Sequence, residues 1–307
     1  MIIPAKLHSG SCIGIFSPAG PVRDHAKVES GIRLLREMGF RIKLFPHPEP
    51  EAEYLAADDR RRVDEFHSML ADDDVNALMA LRGGYGCLRI TEMLNYELIK
   101  ARKKFIIGFS DISILLNTIS SRAHIATVHG PVLTSLASTD KTSTMSLLSL
   151  LKEGLPEQIA ADNIVILRAG DATGILRGGN LATLVHLLGT PWEIPWNNTL
   201  LLLEDTGEPM YKIDRMLTQL YHSGKLKKLS GIILGSFDTG DDTDENNRLQ
   251  KLVWQRVMEL TEGSPCPVWG NFPAGHRERN LAVPLGVEMF MDSGSATLLL
   301  SNTEHST

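Results

Sequence analysis

The feature that most constrains this chain is an alternation that runs through its first half. Short apolar runs alternate with segments of helical period, and the runs close on small or turn-forming residues. Cys12–Phe16 ends at Ser17-Pro18-Ala19-Gly20, and residues 77–81 end at Arg82-Gly83-Gly84-Tyr85-Gly86. Residues 104–109 end at Ser110, and 125–128 end at His129. Between them, 24–38 places Val28, Ile32, Leu35 and Met38 on one face, and Gly39 stands where a helix is stopped. Residues 60–70 read as a charged helix with Val63, Phe66 and Leu70 inward, and 88–98 and 112–119 also read as helical. Residues 40–45 read as a strand broken by the proline-rich stretch 46–50. Strands and helices of these lengths build βαβ units, hence a parallel sheet covered on both faces. Such sheets gather their chemistry at the carboxyl ends of the strands, which would make Gly83-Gly84 and Ser110 neighbours in one crevice.

Length bears on how many such units there are. At ~150 residues per domain, 307 residues correspond to about two. The pattern loosens around 154–171, so the expected division is 1–158, an N-terminal α/β domain of Rossmann or flavodoxin type, and 159–307, a smaller mixed α/β domain. In the second half, Gly178-Gly179-Asn180 precedes a helical segment, 181–188. Residues 199–203 form an apolar strand ending in Glu204-Asp205, and Pro209 opens a helix as its first residue would. Residues 231–234 read as a strand, 238–247 as an exposed acidic loop and 249–260 as a helix. Short strands at Val268–Gly270, 288–291 and 296–300 finish the chain.

A net charge of −6 leaves no basic footprint for nucleic acid or for an anionic membrane. Three cysteines, Cys12, Cys87 and Cys266, offer neither a disulfide framework nor a C-x-x-C zinc pattern. No stretch approaches ~18 apolar residues, and the run at Cys12–Phe16 is too short for a signal-peptide core. The expectation is a cytoplasmic protein with no metal, no cofactor, no nucleic acid and no membrane partner.

Gly108-Phe109-Ser110-Asp111 is the first candidate for chemistry. A strand, a sharp turn with serine at its apex and a following helix describe a nucleophile elbow, in which Oγ stands clear of the sheet and the next amide faces a developing oxyanion. The pattern G-x-S-x-G is incomplete, because Ile112 occupies the last glycine position, and a serine helix cap reads equally well there. A serine nucleophile needs a base, and the base needs an orienting acid. His276, in the loop Phe272-Pro273-Ala274-Gly275-His276, is the better-placed base. His129 is its rival, and His186 falls inside a helical segment. Glu204 closes the most apolar strand of the second half, and Asp205 would point the opposite way. The glycine loop at 82–86 lets amides approach an anion closely. It comes too late in the chain for a dinucleotide fingerprint, and no metal-binding spacing is present.

Taken together, and in this order, these segments resemble the LD-carboxypeptidase family, the murein tetrapeptide carboxypeptidases. The resemblance is carried by Ser17-Pro18-Ala19-Gly20, Arg82-Gly83-Gly84-Tyr85-Gly86, Gly108-Phe109-Ser110-Asp111, Gly178-Gly179-Asn180-Leu181, Leu188-Gly189-Thr190-Pro191-Trp192, Leu203-Glu204-Asp205, Ile233-Leu234-Gly235-Ser236-Phe237 and Gly275-His276. It implies a serine peptidase with a Ser-His-Glu triad of Ser110, His276 and Glu204, and oxyanion amides at Asp111 and Gly84. It further implies a cytoplasmic homodimer that removes terminal D-alanine from murein tetrapeptides during peptidoglycan recycling. Arg82 is the candidate for the substrate carboxylate. His129 has no triad counterpart and is expected to be dispensable.

Microcin C self-immunity peptidases fit the triad equally and cleave a peptidyl-nucleotide analogue. They carry an aromatic on a loop that stacks on the base, and 238–247 holds no aromatic, which favours the murein substrate. A non-catalytic small-molecule binding protein and a nicotinamide oxidoreductase are the readings outside the family.

Overall fold

The computed structural model describes residues 1–45, 54–240 and 242–301, so the break read at 46–50 lies outside the described residues. The strands are β1 (Cys12–Phe16), β2 (Arg41–Leu44), β3 (Val75–Ala80), β4 (Phe105–Gly108), β5 (Thr127–His129), β6 (Gln158–Ala160), β7 (Val165–Arg168), β8 (Ala172–Asn180), β9 (Thr199–Thr206), β10 (Leu229–Asp238), β11 (Val268–Gly270), β12 (Val283–Leu285), β13 (Glu288–Asp292) and β14 (Thr297–Leu300). They form two sheets. The first has the order β12-β5-β4-β3-β1-β2 and is parallel except for β12, which runs antiparallel to β5. The second has the order β6-β14-β13-β8-β9-β10-β11-β7, with a parallel centre, β8 to β11, and antiparallel flanks. The expected α/β class, a parallel sheet beside a second mixed sheet, is the architecture found. Among the described residues no helix is long and apolar enough to cross a membrane.

Local signals explain most of the helices. Asp24 caps the helix His25–Glu37 by accepting from the Lys27 amide, and Asp58 caps Asp59–Ala71 through the Arg61 amide. Four readings need correction. The segment 88–98 is broken into Cys87–Ile90, a short 3-10 turn at Thr91–Met93 and a new helix, Tyr96–Arg102. Asn95 causes the restart, because its side chain accepts from the Leu98 amide at 2.9 Å. The described residues of 238–247 are mostly exposed, as expected, but they are not simply a loop. β10 carries Asp238 into the interior, and Asp242 caps a helix that already begins at Thr243. Asp244 and Glu245 therefore sit in a helix first turn, where the dipole favours them. Pro209 is the residue before the helix Met210–His222 rather than its first, and the helix read at 181–188 is only Leu181–Val185. The helix Lys141–Glu153, capped by Asp140, had no counterpart in the sequence reading.

The helix Ser113–Ala123 joins the two halves. It follows β4 and Ser110, and it is buried on almost every side because β4, β5 and β12 flank it from one half and β8 from the other. Its Asn117 behaves like a piece of extra strand. The side-chain amide donates to the Gly178 carbonyl at 2.8 Å and accepts from the Gly178 amide at 3.0 Å. β8 comes this close because Gly178 and Gly179 both have φ near +128°, a region that side chains resist. A Cβ on Gly179 would lie 2.3 Å from Ser113 Oγ. The chain crosses between halves once more when β12 returns to the first sheet.

Asn117→Ala would leave a buried donor and a buried acceptor on Gly178 without partners, at ~1–3 kcal/mol each. We expect a stability loss of about 2–4 kcal/mol by chemical denaturation. An unchanged midpoint would remove this bond pair as a clamp between the halves.

Candidate active site

Ser110 stands at the end of β4 with φ of +63°, a strained value for a residue with a side chain. Phe109 before it is fully extended, and a 3-10 turn, Ser110–Ile112, leads into the helix behind. This is the elbow expected from the sequence. The structure also explains the incomplete pattern. A Cβ on Gly108 would lie 2.7 Å from Ile112 Cγ2, so the first glycine makes the room that the missing last glycine would otherwise supply.

Two loops frame the serine. A Cβ on Gly83 would lie 2.9 Å from Ser110 Oγ, which shows how closely the glycine loop passes the hydroxyl. The Gly20 amide donates to the Gly83 carbonyl at 3.2 Å, tying the loop after β1 to the loop after β3. Arg82 donates from Nη1 to the Pro21 carbonyl at 2.7 Å and from Nε to the Gly83 carbonyl at 3.1 Å, so its guanidinium braces both loops. A second brace lies below. Arg62 is fully buried and donates to the carbonyls of Pro18 and Gly86, with Asp59 as its carboxylate partner. In sequence Arg62 belonged to the outward side of a charged helix, and nothing in that pattern marked it as internal.

The acid and the base come from the second half. Glu204 lies in β9 and is fully buried. Strand alternation sends Asp205 the other way, as expected, where it accepts from Asn180 Nδ2, the Ala182 amide and the Thr206 amide. Burial and the neighbouring Glu204 charge push the Asp205 carboxyl up to about 6. Glu204 is moved oppositely. Burial alone would raise it, but the positive charge and hydrogen bond of His276, with the nearby His129 imidazole, hold it at about 2. His276 Nδ1 donates to Glu204 Oε2 at 2.8 Å. Burial disfavours the imidazolium, yet the Glu204 charge outweighs it, so the His276 pKa lies above the ordinary 6.5.

An open cavity of about 440 Å³ brings these halves together. Ser110, His276, Gly83, Gly84, Arg82 and Phe109 all line it, with Arg23, Asp24 and Lys27 at one side and the hydroxyls of Thr134, Ser135 and Ser138 at another. The Phe109 ring lies 4.7 Å from the His276 ring and fixes its plane. His129, the rival base, is fully buried, lies outside the cavity wall and faces the back of Glu204. His186 is exposed on the helix-end at Val185. Trp192 stacks on Tyr96 at 5.7 Å with Arg122 over its ring, a packing role away from the cavity. Among the described residues no group of three or more metal-ligating side chains is present.

Comparison with known proteins gives the family. Residues 13–130 match the LD-carboxypeptidase N-terminal domain, and 173–291 match the LD-carboxypeptidase C-terminal domain. A probable murein peptide carboxypeptidase of Bacillus subtilis is 32% identical, over 97% of this chain and 93% of that protein. The microcin C7 self-immunity protein MccF of Escherichia coli is 25% identical, over 100% of this chain and 97% of its own length. A structure of MccF with glutamyl sulfamoyl guanosine superimposes with a TM-score of 0.87, covering 99% of both chains. The crystal structure of a muramoyltetrapeptide carboxypeptidase from Oxalobacter formigenes does so at 0.77, with 25% identity over 94% of this chain and 97% of that one. The chain therefore belongs to the LD-carboxypeptidase family and is a peptidase, a hydrolase of the serine class.

Proposed function

We propose that this peptidase removes the terminal D-alanine of murein tetrapeptides through a triad of Ser110, His276 and Glu204. The observation that carries the reading is the 2.8 Å bond from His276 Nδ1 to a fully buried carboxylate, on an imidazole that shares one cavity with a strained serine. With Nδ1 committed to Glu204, Nε2 is the nitrogen that takes the Ser110 proton as Oγ attacks the carbonyl carbon. The tetrahedral oxyanion faces the amides of Asp111 and Gly84, where each donor contributes ~10²–10³ in rate. The C–N bond to D-alanine then breaks, and His276 returns its proton to the leaving amine. Water attacks the ester carbonyl, gives its proton to His276 and releases the tripeptide and the serine. Glu204 keeps the imidazole in its working tautomer and stabilises the imidazolium.

The substrate ends in a carboxylate, and the cavity wall carries Arg82, Arg23 and Lys27 against the single acid Asp24. Arg82 supplies positive charge from a position braced on Pro21 and Gly83, so it both shapes the loop and favours the anion. The runner-up, cleavage of a peptidyl-nucleotide, draws on the close likeness to MccF. The described cavity lining holds no aromatic ring beyond Phe109 and His276, which already pack on each other, and this supports the murein peptide. The reading extends to a cytoplasmic homodimer acting in peptidoglycan recycling and to a division of the chain into 1–158 and 159–307. The change of sheet at β6 supports that division.

Incubation with muropeptide tetrapeptide, followed by mass spectrometry, is expected to show tripeptide and free D-alanine. Ser110→Ala should lower turnover by ~10⁴-fold or more with folding intact. A fluorophosphonate should label the wild type and not that variant, and equal labelling of the two would end the serine-peptidase mechanism.

The pH dependence has a defined sign. The base must be neutral, and its pKa is raised, so kcat/KM should climb with pH along a limb centred above 6.5. Glu204→Gln removes the charge that raises it. That variant should lose ~10³-fold or more in turnover, and its acidic limb should move to lower pH. A limb that stays in place would detach Glu204 from His276.

A further inference from the structure

We infer that His129 is a second imidazole on the triad carboxylate, a positioning residue that donates from Nε2 to Glu204 Oε1. The inference rests on the triad reading above.

Glu204 offers two oxygens. His276 takes Oε2, and Oε1 is buried without a hydrogen-bond partner among the described residues. His129 is equally enclosed, with a side chain fully shielded from solvent, and among the described residues neither of its ring nitrogens has a hydrogen-bond partner. The two orphans face each other: His129 Nε2 lies 4.0 Å from Glu204 Oε1. Buried polar groups in native proteins are almost always paired, and one donor and one acceptor left over at this separation answer each other. A modest side-chain rotation brings 4.0 Å to hydrogen-bond length.

The surroundings are built for the approach. His129 ends β5 in register with Gly108 of β4, next to the elbow, and the Gly130 amide donates to the Gly108 carbonyl at 3.0 Å. Phe109 is the common wall of both imidazoles, edge-on to His129 at 6.1 Å and against His276 at 4.7 Å. Gly179 completes the slot, because a Cβ there would lie 3.3 Å from His129 Cδ2. The carboxylate comes from the second half and this imidazole from the first. Their bond would hold Glu204 in register with Ser110 across the interface.

His129 cannot be the general base, since it is fully buried and does not reach the cavity. Its place behind Glu204 reverses the expectation that it is dispensable. A histidine Nε2 is matched in reach by the amide of glutamine, while asparagine falls short. The test is therefore the rate at which a fluorophosphonate labels Ser110, which reads the triad without any natural substrate. His129→Gln should label within ~3-fold of the wild type, and His129→Asn should fall by about tenfold or more. In a Glu204→Ala background the two substitutions should give the same rate, because the acceptor oxygen is gone. Equal rates for Gln and Asn in the wild-type background, or the same Asn loss in both backgrounds, would overturn the inference. The wild-type protein gives an independent check through the ¹⁵N resonances of its histidines. We expect a proton on His129 Nε2 whose signal moves on Glu204→Gln, and a proton on Nδ1 alone would overturn the assignment. A wild type that fails to label would remove the triad, and with it this inference.

Discussion

A single buried carboxylate organises this molecule. Glu204 sits where two sheets meet, beyond the reach of water, and an isolated ionised acid there would be costly. The His276 charge and its bond to Oε2 stabilise the ionised form, and the balance falls far enough toward it to hold the group at about 2. That balance ties the halves together chemically. The acid belongs to the central parallel strands of the second sheet, and the imidazole reaches it from the loop after β11. The serine that shares a cavity with that imidazole follows a strand of the first sheet. A small opening of the interface would let water onto Glu204 and weaken the hold on His276, so the packing that keeps the halves closed also tunes that imidazole.

Closure depends on places where side chains are missing. Gly178 and Gly179 bring β8 against the helix Ser113–Ala123, and Gly83 leaves the space above the Ser110 hydroxyl open. Asn117 turns the first of these approaches into two hydrogen bonds. Arg62 and Arg82 do comparable work for the loops, spending their donors on carbonyls of Pro18, Gly86, Pro21 and Gly83. Ser110 holds a positive φ because strand, turn and helix over-determine it. The strain sits where the hydroxyl must project, and the rigid frame around it sustains the strain.

Elements with strong periodicity were legible in the sequence. β1, β3, β4 and β9, the helices beginning at His25 and Asp59, and the opposed directions of Glu204 and Asp205 all follow from spacing alone. The motifs at Ser110 and His276 were legible as candidates, and their order along the chain carried the family resemblance. What escaped has a common cause. The restart at Asn95 rests on a cap residue, and the helix Lys141–Glu153 has only a short stripe, Leu147, Leu150 and Leu151, in its second half behind the Asp140 cap. Asp238 read as a solvated acid because a string of acids resembles a loop until the burial of each is known. Arg62 and Asn117 are polar residues whose partners lie 24 and 61 residues away, and local pattern carries no information at that range.

His129 shows the same limit from the other side. Its neighbours in sequence placed it at a strand end near the elbow, which made it a plausible base. The deciding facts are its full burial and the oxygen it faces, both set by a strand 75 residues further on. A histidine competing to be the base and a histidine supporting the acid look identical in a linear pattern. They differ only in whether the ring opens onto the cavity or onto the carboxylate behind it. Here one imidazole opens onto the cavity and the other onto the carboxylate, and the Phe109 ring lies against both, so the elbow that carries Ser110 also packs on the two rings that flank Glu204.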